Sequence, residues 1–458
     1  MRVEELAQLC GAQLVQGDPN WQVRHISTDT RAIGRGDCFV ALRGPHFDGH
    51  DFINVAAERG ASAAVVSYPT RAANSPSAFA LLQVEDTLTA LHKLATNYRR
   101  QMPCRIIAVT GSSGKTTTKE MIAAVLSQRF SVAKTEGNMN NHIGLPLNLL
   151  KLDPCYDFGV FELGTNHPGE IAQLANCCKP EVGVITNIGL AHTEFLGDEA
   201  GVAREKGALL ESLPADGFAV LNADDRWLGD LRVRARCTVV TVGIESFADI
   251  RASDIKINGD VKFRLNRAKK REDVIVRLRT LGRHQIYNAL QAAAVGSIHG
   301  MDLDEIREGL ETMEFPEMRM QSIERAGIRF VNDCYNANMP SMKAALEMIA
   351  ETPCRGRKIA VLGEMLELGE HSRQAHLDIG ALAARTGVAL LVAVGERGKW
   401  IADGAVNRGM EAHRVLPVSD AGQAADMLRW LLRDGDFVLL KGSRAVKLER
   451  VLEAFELK

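Results

Sequence analysis

The residues with the most chemical content lie in the run IIAVTGSSGKTTT (106–118). An apolar strand leads into Gly111, Ser112, Ser113, Gly114, Lys115, Thr116 and Thr117, and a helix-forming stretch follows. Glycines let backbone N–H groups turn inward around phosphate oxygens. The start of a helix adds its positive end. Lys115 can reach terminal phosphates, and the Thr116 hydroxyl can ligate Mg2+. The strict form of this turn has Gly five residues before Gly114, where Val109 stands, so the match is the shorter T-G-x-x-G-K-[ST] form. A Gly/Ser turn that merely caps a helix is the plainer reading. Three threonines directly after Gly-Lys, in a strand–turn–helix context, favour a nucleotide site.

A bound triphosphate needs a metal, and the metal needs oxygen ligands. Glu162 ends the apolar strand DFGVFE, as a ligand or as an ordinary strand-end carboxylate. His192 follows the strand VGVITNIG. A lone histidine is more often structural, but this one lies just past a strand's carboxyl end, where open α/β sheets bind ligands. Lys206 in AREKGALL reads, on its own, as a solvated helix lysine. The Asn-rich GNMNNHIGLPLNLL (137–150) reads as a loop. Its amides suit a polar substrate, or turns and caps. His284 and Asn288 share one helix face, toward a base or into packing. Arg319, Asp333 and Asn336 sit where a later domain could close over ATP, or serve as surface and capping residues.

These groups need rigid elements to position them. The 458 residues suggest about three domains at roughly 150 residues each. The first 82 read as mixed α/β. They hold a helix at VEELAQLCGA, a strand at DCFVAL, a loop at 68–77 and a strand at AFALLQVED. From 83 to 313 apolar strands alternate with helices, which implies a parallel sheet covered on both faces. Within it, 249–281 alternates polar and apolar residues and reads as an antiparallel excursion at the sheet edge. A boundary falls near FPEMRM (315–320), and a Rossmann-like rhythm fills 314–458 without a G-x-G-x-x-G.

The net charge of −2 offers no global field for nucleic acid. No apolar run approaches the ~20 residues that span a bilayer, and the opening MRVEELAQLC does not read as a signal peptide. The nine cysteines form no C-x-x-C pair, and Cys177 adjoins Cys178, so reduced thiols in a cytoplasmic protein are expected.

Taken together, the segments resemble the Mur ligase family over essentially the whole chain. The motifs run in family order: STDTR, GDCFVALRG and DGHDF, then TGSSGKTT, GNMNN, IGLP, FELGTN, NIGLAH and REKG. GRHQIYNALQAAA, NDCYNAN, LGEMLELGE and KGSR follow. FELGTN, YNAN and MLELG are most similar to the member that adds D-alanyl-D-alanine. The resemblance implies ATP-dependent addition of D-alanyl-D-alanine to UDP-N-acetylmuramoyl-tripeptide through an acyl phosphate. It implies a UDP-binding first domain, a central P-loop ATPase domain and a Rossmann-like third domain that closes, in a cytoplasmic monomer.

The same resemblance implies roles for residues. Lys115 and Thr116 would hold phosphates and Mg2+. Glu162 and His192 would be metal ligands, and a carbamylated Lys206 would serve a second Mg2+. Asn288 would contact adenine, Arg319 the γ-phosphate, and Asp333 and Asn336 would line the ATP site. Ser27, Thr28, Arg31, Arg43, Asp48 and His50 would grip the uridine diphosphate, and Asn138, Asn141 and Thr165 the rest of the precursor. Three positions depart from the family pattern. Thr30 stands where Ser is commoner, Met318 where Gly is usual, and Met339-Pro340 where Pro directly follows Asn338. The competing readings are a folylpolyglutamate synthase-like ligase, against which the first 82 residues argue, and a P-loop regulatory ATPase or GTPase, which lacks an N-K-x-D motif here.

Overall fold

Residues 1–68 and 79–455 are described by the computed structural model, so the 68–77 loop lies outside the described residues except for Tyr68. The protein is α/β, and its described residues form three sheets of five, nine and six strands. The chain forms two compact units. One holds Met1–Ala108, Phe130–Gly164 and Glu170–Glu181. The other holds Val109–Arg129, Thr165–Gly169 and Val182–Lys458. Among the described residues no helix is long and apolar enough to cross a membrane. All nine cysteines are unbridged, as their spacing implies.

In the first unit a five-stranded sheet has the order Gln13–Gln16, Ala80–Gln83, Ala63–Val66, Cys38–Val40, Ile26–Ser27. Only its first pair is antiparallel. Both faces are covered: Val40 and Val65 pack with Leu6 and Leu91, while Phe39 and Ala64 pack with Ile53 and Phe79. Strands buried on both sides need no polar alternation, which is why CFVAL after Asp37 is apolar throughout. Asp86 caps the Thr87–Gln101 helix by accepting the Thr89 N–H at 2.7 Å. Val132–Lys134 pairs in parallel with Phe158–Glu162, which ends on the candidate carboxylate.

In the second unit Val182–Ile185, Phe218–Asn222 and Thr238–Gly243 run parallel. Beyond them Ile250–Ile257, Val261–Arg267 and Glu272–Leu278 form antiparallel hairpins at the edge. This is the excursion that the alternation in 249–281 predicts. The third sheet has the order Gln321–Arg325, Ile328–Asp333, Phe437–Lys441, Lys358–Gly363, Leu390–Val394, Val415–Val418. All but its first pair are parallel. Met342 and Ile349 of the Met339–Glu351 helix cover one face, Leu428 and Val451 the other. Sequence periodicity captured this doubly wound pattern. One local reading changes: 137–150 is not all loop, because Gly144–Leu149 is a short helix. Asn141 Oδ1 caps it, accepting the Ile143 and Gly144 N–H groups.

Candidate active site

The phosphate-binding turn joins the Arg105–Thr110 strand to the Lys115–Leu126 helix. Lys115, Thr116 and Thr117 occupy the helix's first turn, where N–H groups and the dipole favour an anion. Gly111 has φ +148°, and a Cβ there would meet Thr186 Oγ1 at 1.8 Å. Gly114 has φ +80°, and its Cβ would sit 2.6 Å from Asn288 Oδ1. Neither position admits a side chain. Asn187 holds the turn from below: its carbonyl accepts the Ser112 N–H and its Oδ1 the Ser113 N–H, at 3.0 and 3.1 Å. Two of the turn's N–H groups are therefore spent on shaping it. Thr186 Oγ1 donates to the Ser113 carbonyl at 2.6 Å. Lys115 Nζ donates to the Gly111 carbonyl at 2.9 Å. Asn288 is buried and accepts from Thr118 Oγ1 at 3.1 Å, while its amide donates to Gln285.

His192 has a left-handed backbone, φ +56°, and begins the Thr193–Leu196 turn of helix. Its Nδ1 lies 2.6 Å from Glu367 Oε2. Burial pushes its pKa below the ordinary value. The nearby positive charges of Lys115 and Lys206 add to that, and Glu367 opposes it. Lys206 is 1% exposed, so the expectation of a solvated lysine fails. The Glu199–Glu211 helix buries Val202, Ala203, Glu205 and Leu209 as well, and the lysine lies on this covered side, off the stripe that leaves Arg204 and Glu211 exposed. Thr165, also buried, donates to Glu205 Oε1 at 3.3 Å.

On the third sheet, Asp333 and Lys441 end neighbouring parallel strands and face each other in register. Lys441 Nζ donates to Asp333 Oδ2 at 2.5 Å and to the Asn336 carbonyl at 3.2 Å. The half-buried His284 sits near both, and burial depresses its pKa to about 4. Arg319 lies over the Tyr335 ring at 4.1 Å, a cation–π contact. Asn338 caps the Met339–Glu351 helix and reaches the Ser112 carbonyl at 2.8 Å. The Met339-Pro340 departure therefore leaves a well-formed cap, with Pro340 set against Gly189.

Met318, where the family usually has Gly, sits at φ +58°. An L-residue there costs roughly 1–2 kcal/mol. Met318 packs against the third sheet's core, which offsets part of that. The inverted order is the test: Met318→Gly should exceed Met318→Ala in stability by about 1 kcal/mol in urea unfolding, although Gly is ordinarily the worse residue. Equal midpoints would remove the strain argument.

The first unit gathers a second cluster. Asp48 Oδ1 lies 2.6 Å from His50 Nδ1, and its Oδ2 accepts from Tyr68 at 2.9 Å and pairs with Arg43 at 3.2 Å. Ser67 N–H donates to His50 Nε2, so Nδ1 carries the proton donated to Asp48. Burial opposes ionisation of Asp48, but the His50 backbone N–H, the His50 ring and Tyr68 hold its pKa at about 2, below the usual 3.8. A depressed folded pKa adds stability above the ordinary value, lost as pH falls through the folded one. The gap in thermal midpoint between parent and Asp48→Asn should therefore shrink from pH 4 toward 2, and a constant gap would contradict it. Arg31 is exposed and bidentate to Asp29, and Ser27 Oγ also serves Asp29, accepting its N–H at 3.1 Å. Thr28 is half-buried. Asn138 is exposed. Glu162, 2% exposed, accepts from Asn140 Nδ2 at 2.8 Å.

Sequence reasoning did not give roles to Asn140, Asn187, Glu367 or Lys441. All four lie inside motifs already noted, GNMNN, NIGLAH, LGEMLELGE and KGSR, so the signal existed without an assignment.

A phosphate-binding turn at the carboxyl ends of parallel strands, followed by a second doubly wound sheet, defines a nucleotide-using α/β protein, and the chain belongs to the Mur ligase family. Residues 109–296 match the family's middle domain, 318–444 its glutamate ligase domain and 22–99 its catalytic domain. The chain is 38% identical over 437 residues to UDP-N-acetylmuramoyl-tripeptide–D-alanyl-D-alanine ligase of Escherichia coli (strain K12), covering 94% of this chain and 93% of that protein. It is similar to the crystal structure of MurF from Acinetobacter baumannii, with TM-score 0.91, 30% identity and coverage of 99% and 98%. It is also similar to MurF ligase from Thermotoga maritima in complex with ADP, with TM-score 0.84, 30% identity and coverage of 94% and 97%.

Proposed function

We propose that this protein is an ATP-dependent, ADP-forming ligase that joins D-alanyl-D-alanine to UDP-N-acetylmuramoyl-tripeptide in peptidoglycan synthesis. The observation that carries the reading is near-full-length similarity to UDP-N-acetylmuramoyl-tripeptide–D-alanyl-D-alanine ligases, together with a phosphate-binding turn that admits no side chain at Gly111 or Gly114.

A carboxylate is a poor electrophile. The tripeptide's terminal carboxylate takes the γ-phosphoryl group of ATP, giving an acyl phosphate and ADP. The amine of D-alanyl-D-alanine attacks that carbonyl, and the tetrahedral intermediate collapses to amide and phosphate. The chain's task is positioning and neutralising charge. Lys115 and the helix start hold phosphates, with Asn187 and Thr186 keeping the turn preformed. Arg319 serves the γ-phosphate, Asn288 the adenine side, and Asp333 and Asn336 the rest of the nucleotide.

Among the described residues no group of three His, Cys, Asp or Glu forms a metal cage. Mg2+ commonly uses one or two carboxylates, phosphates and water instead, so the donor set fits. Thr116, Glu162, His192 and a carbamylated Lys206 are its proposed ligands, with two ions in all. Bound Mg2+ would neutralise phosphate charge. Ser27, Thr28, Arg31, Arg43, Asp48 and His50 are proposed to bind the uridine diphosphate, and Asn138, Asn141 and Thr165 the remaining precursor. The proposed domains are 1–82, 83–313 and 314–458, in a cytoplasmic monomer.

Phosphate release with each substrate omitted in turn tests the reading. Release should need ATP, the UDP-linked tripeptide and D-alanyl-D-alanine together. Release from ATP alone would point to a regulatory ATPase. Release that needs glutamate and a folate, and ignores UDP-sugar peptides, would point to a folylpolyglutamate synthase-like enzyme.

A further inference from the structure

Glu367 has no role in the reading above, yet it touches the one histidine assigned to the metal. Its carboxylate lies 2.6 Å from His192 Nδ1. The two residues come from turns 175 positions apart in the chain. Both have left-handed backbones, φ +56° at His192 and +61° at Glu367, although neither is glycine. Such conformations are costly and persist where the surroundings over-determine them, often at functional sites.

The surroundings here do over-determine them. Glu194 N–H donates to the Glu367 carbonyl at 3.2 Å, and Thr193 Oγ1 to the Leu368 carbonyl at 3.2 Å. His371 Nε2 lies 3.2 Å from the Gly197 carbonyl. Gly369, at φ +52°, brings its backbone so close that a Cβ would meet Glu194 Cα at 3.0 Å. Four links therefore clamp the 192–197 turn to the 367–371 turn.

A carboxylate only accepts hydrogen bonds. At 2.6 Å the proton between the two groups must be on Nδ1. A neutral ring protonated at Nδ1 keeps its lone pair on Nε2, the nitrogen able to ligate a cation. We infer that Glu367 is a positioning residue: it fixes the His192 ring and its Nδ1–H tautomer, so that Nε2 is presented as the ligand nitrogen. A carboxylate behind a metal-binding histidine generally raises ligand basicity and sets ring orientation. The inference rests on the reading of His192 as a metal-side residue. It adds that the third region completes that ligand through Glu367.

The test uses the full-length protein, with Mn2+ and ADP as probes, and reads Mn2+ binding by electron paramagnetic resonance. Glu367→Ala should weaken Mn2+ binding in the presence of ADP by about 10–100-fold. Glu367→Gln, which keeps an acceptor oxygen, should lose far less. The double variant His192→Ala/Glu367→Ala should bind no more weakly than His192→Ala alone. In the unmutated protein, long-range 1H–15N spectra should show His192 as the Nδ1–H tautomer. Finding Nε2–H instead overturns the inference without any variant, even if Glu367→Ala does not fold. A drop in thermal stability of Glu367→Ala with unchanged Mn2+ affinity would mark a merely structural contact and overturn it as well. If His192→Ala weakens Mn2+ binding and Glu367→Ala does not, the inference alone fails. If His192→Ala changes nothing, the metal-side reading fails first and takes the inference with it.

Discussion

Lys206→Ala will lose ligase turnover by at least about a thousandfold, the scale of removing a group that stabilises developing charge, and a short-chain carboxylic acid will restore part of it. Lys206 is 1% exposed on the Glu199–Glu211 helix. A neutral amine can add to carbon dioxide, forming an N–C bond and releasing one proton, which leaves an anionic carbamate. The site gives that change a purpose. The charges of Lys115 and Lys206 both bear on His192. Positive charge from two lysines beside a neutral histidine works against a divalent cation. A carbamate replaces one positive charge with a negative one and supplies hard oxygen atoms. Alanine leaves room where a free carboxylate can stand in. The experiment is turnover of Lys206→Ala with and without added acetate, alongside 13C spectra of the parent protein under labelled carbon dioxide. Full activity in Lys206→Ala, or no rescue and no carbamate signal, would refute the role.

Lys206 also marks where local sequence reading stops. Helical spacing marks a wet and a dry stripe, but a charged residue type does not say which stripe it falls on when the wet one is narrow. The Glu199–Glu211 helix buries both Glu205 and Lys206 along with Val202 and Leu209, so the charges in AREKG gave the wrong environment. Only the resemblance to the family singled the lysine out. The phosphate-binding turn was legible for the opposite reason. Its chemistry is local: two glycines, a lysine and a helix start within six residues. The hairpins of 249–281 were legible because a half-buried strand writes its period of two into the sequence. The Asn-rich stretch was half-legible. Gly-Leu-Pro looks like a turn, yet Asn141 caps a short helix that begins at Gly144. Asn187, Glu367 and Lys441 were out of reach because their partners lie 74, 175 and 108 positions away. No pattern within one element encodes such a pairing.

The largest expected loss of stability follows from one of those distant pairs. Lys441→Ala should destabilise the protein by about 3–5 kcal/mol, the range for removing one partner of a buried ion pair. The side chains of Lys441 and Asp333 are 2% and 12% exposed. The ammonium spends one proton on Asp333 Oδ2 and another on the Asn336 carbonyl. Among the described residues the other carboxylate oxygen accepts only from the Met320 N–H, at a long 3.3 Å. Without Lys441 the carboxylate therefore stays buried with little compensation. Removing both charges is a different perturbation, since a neutral pair of similar volume is often no worse than the ion pair. Asp333→Asn/Lys441→Met should recover most of the unfolding midpoint lost by Lys441→Ala. It should not recover ATP affinity, because the lysine also ties down the turn carrying Asn336, and Asp333 itself is assigned to the nucleotide. Urea unfolding and ATP binding on the same variants separate the two effects. If the double variant regained both, Lys441 and Asp333 would be a structural pair without a hand in the nucleotide site. If Lys441→Ala cost less than about 1 kcal/mol, the value of an exposed pair, water must reach Asp333 once the lysine is gone, and the strand ends that hold it would not be closed.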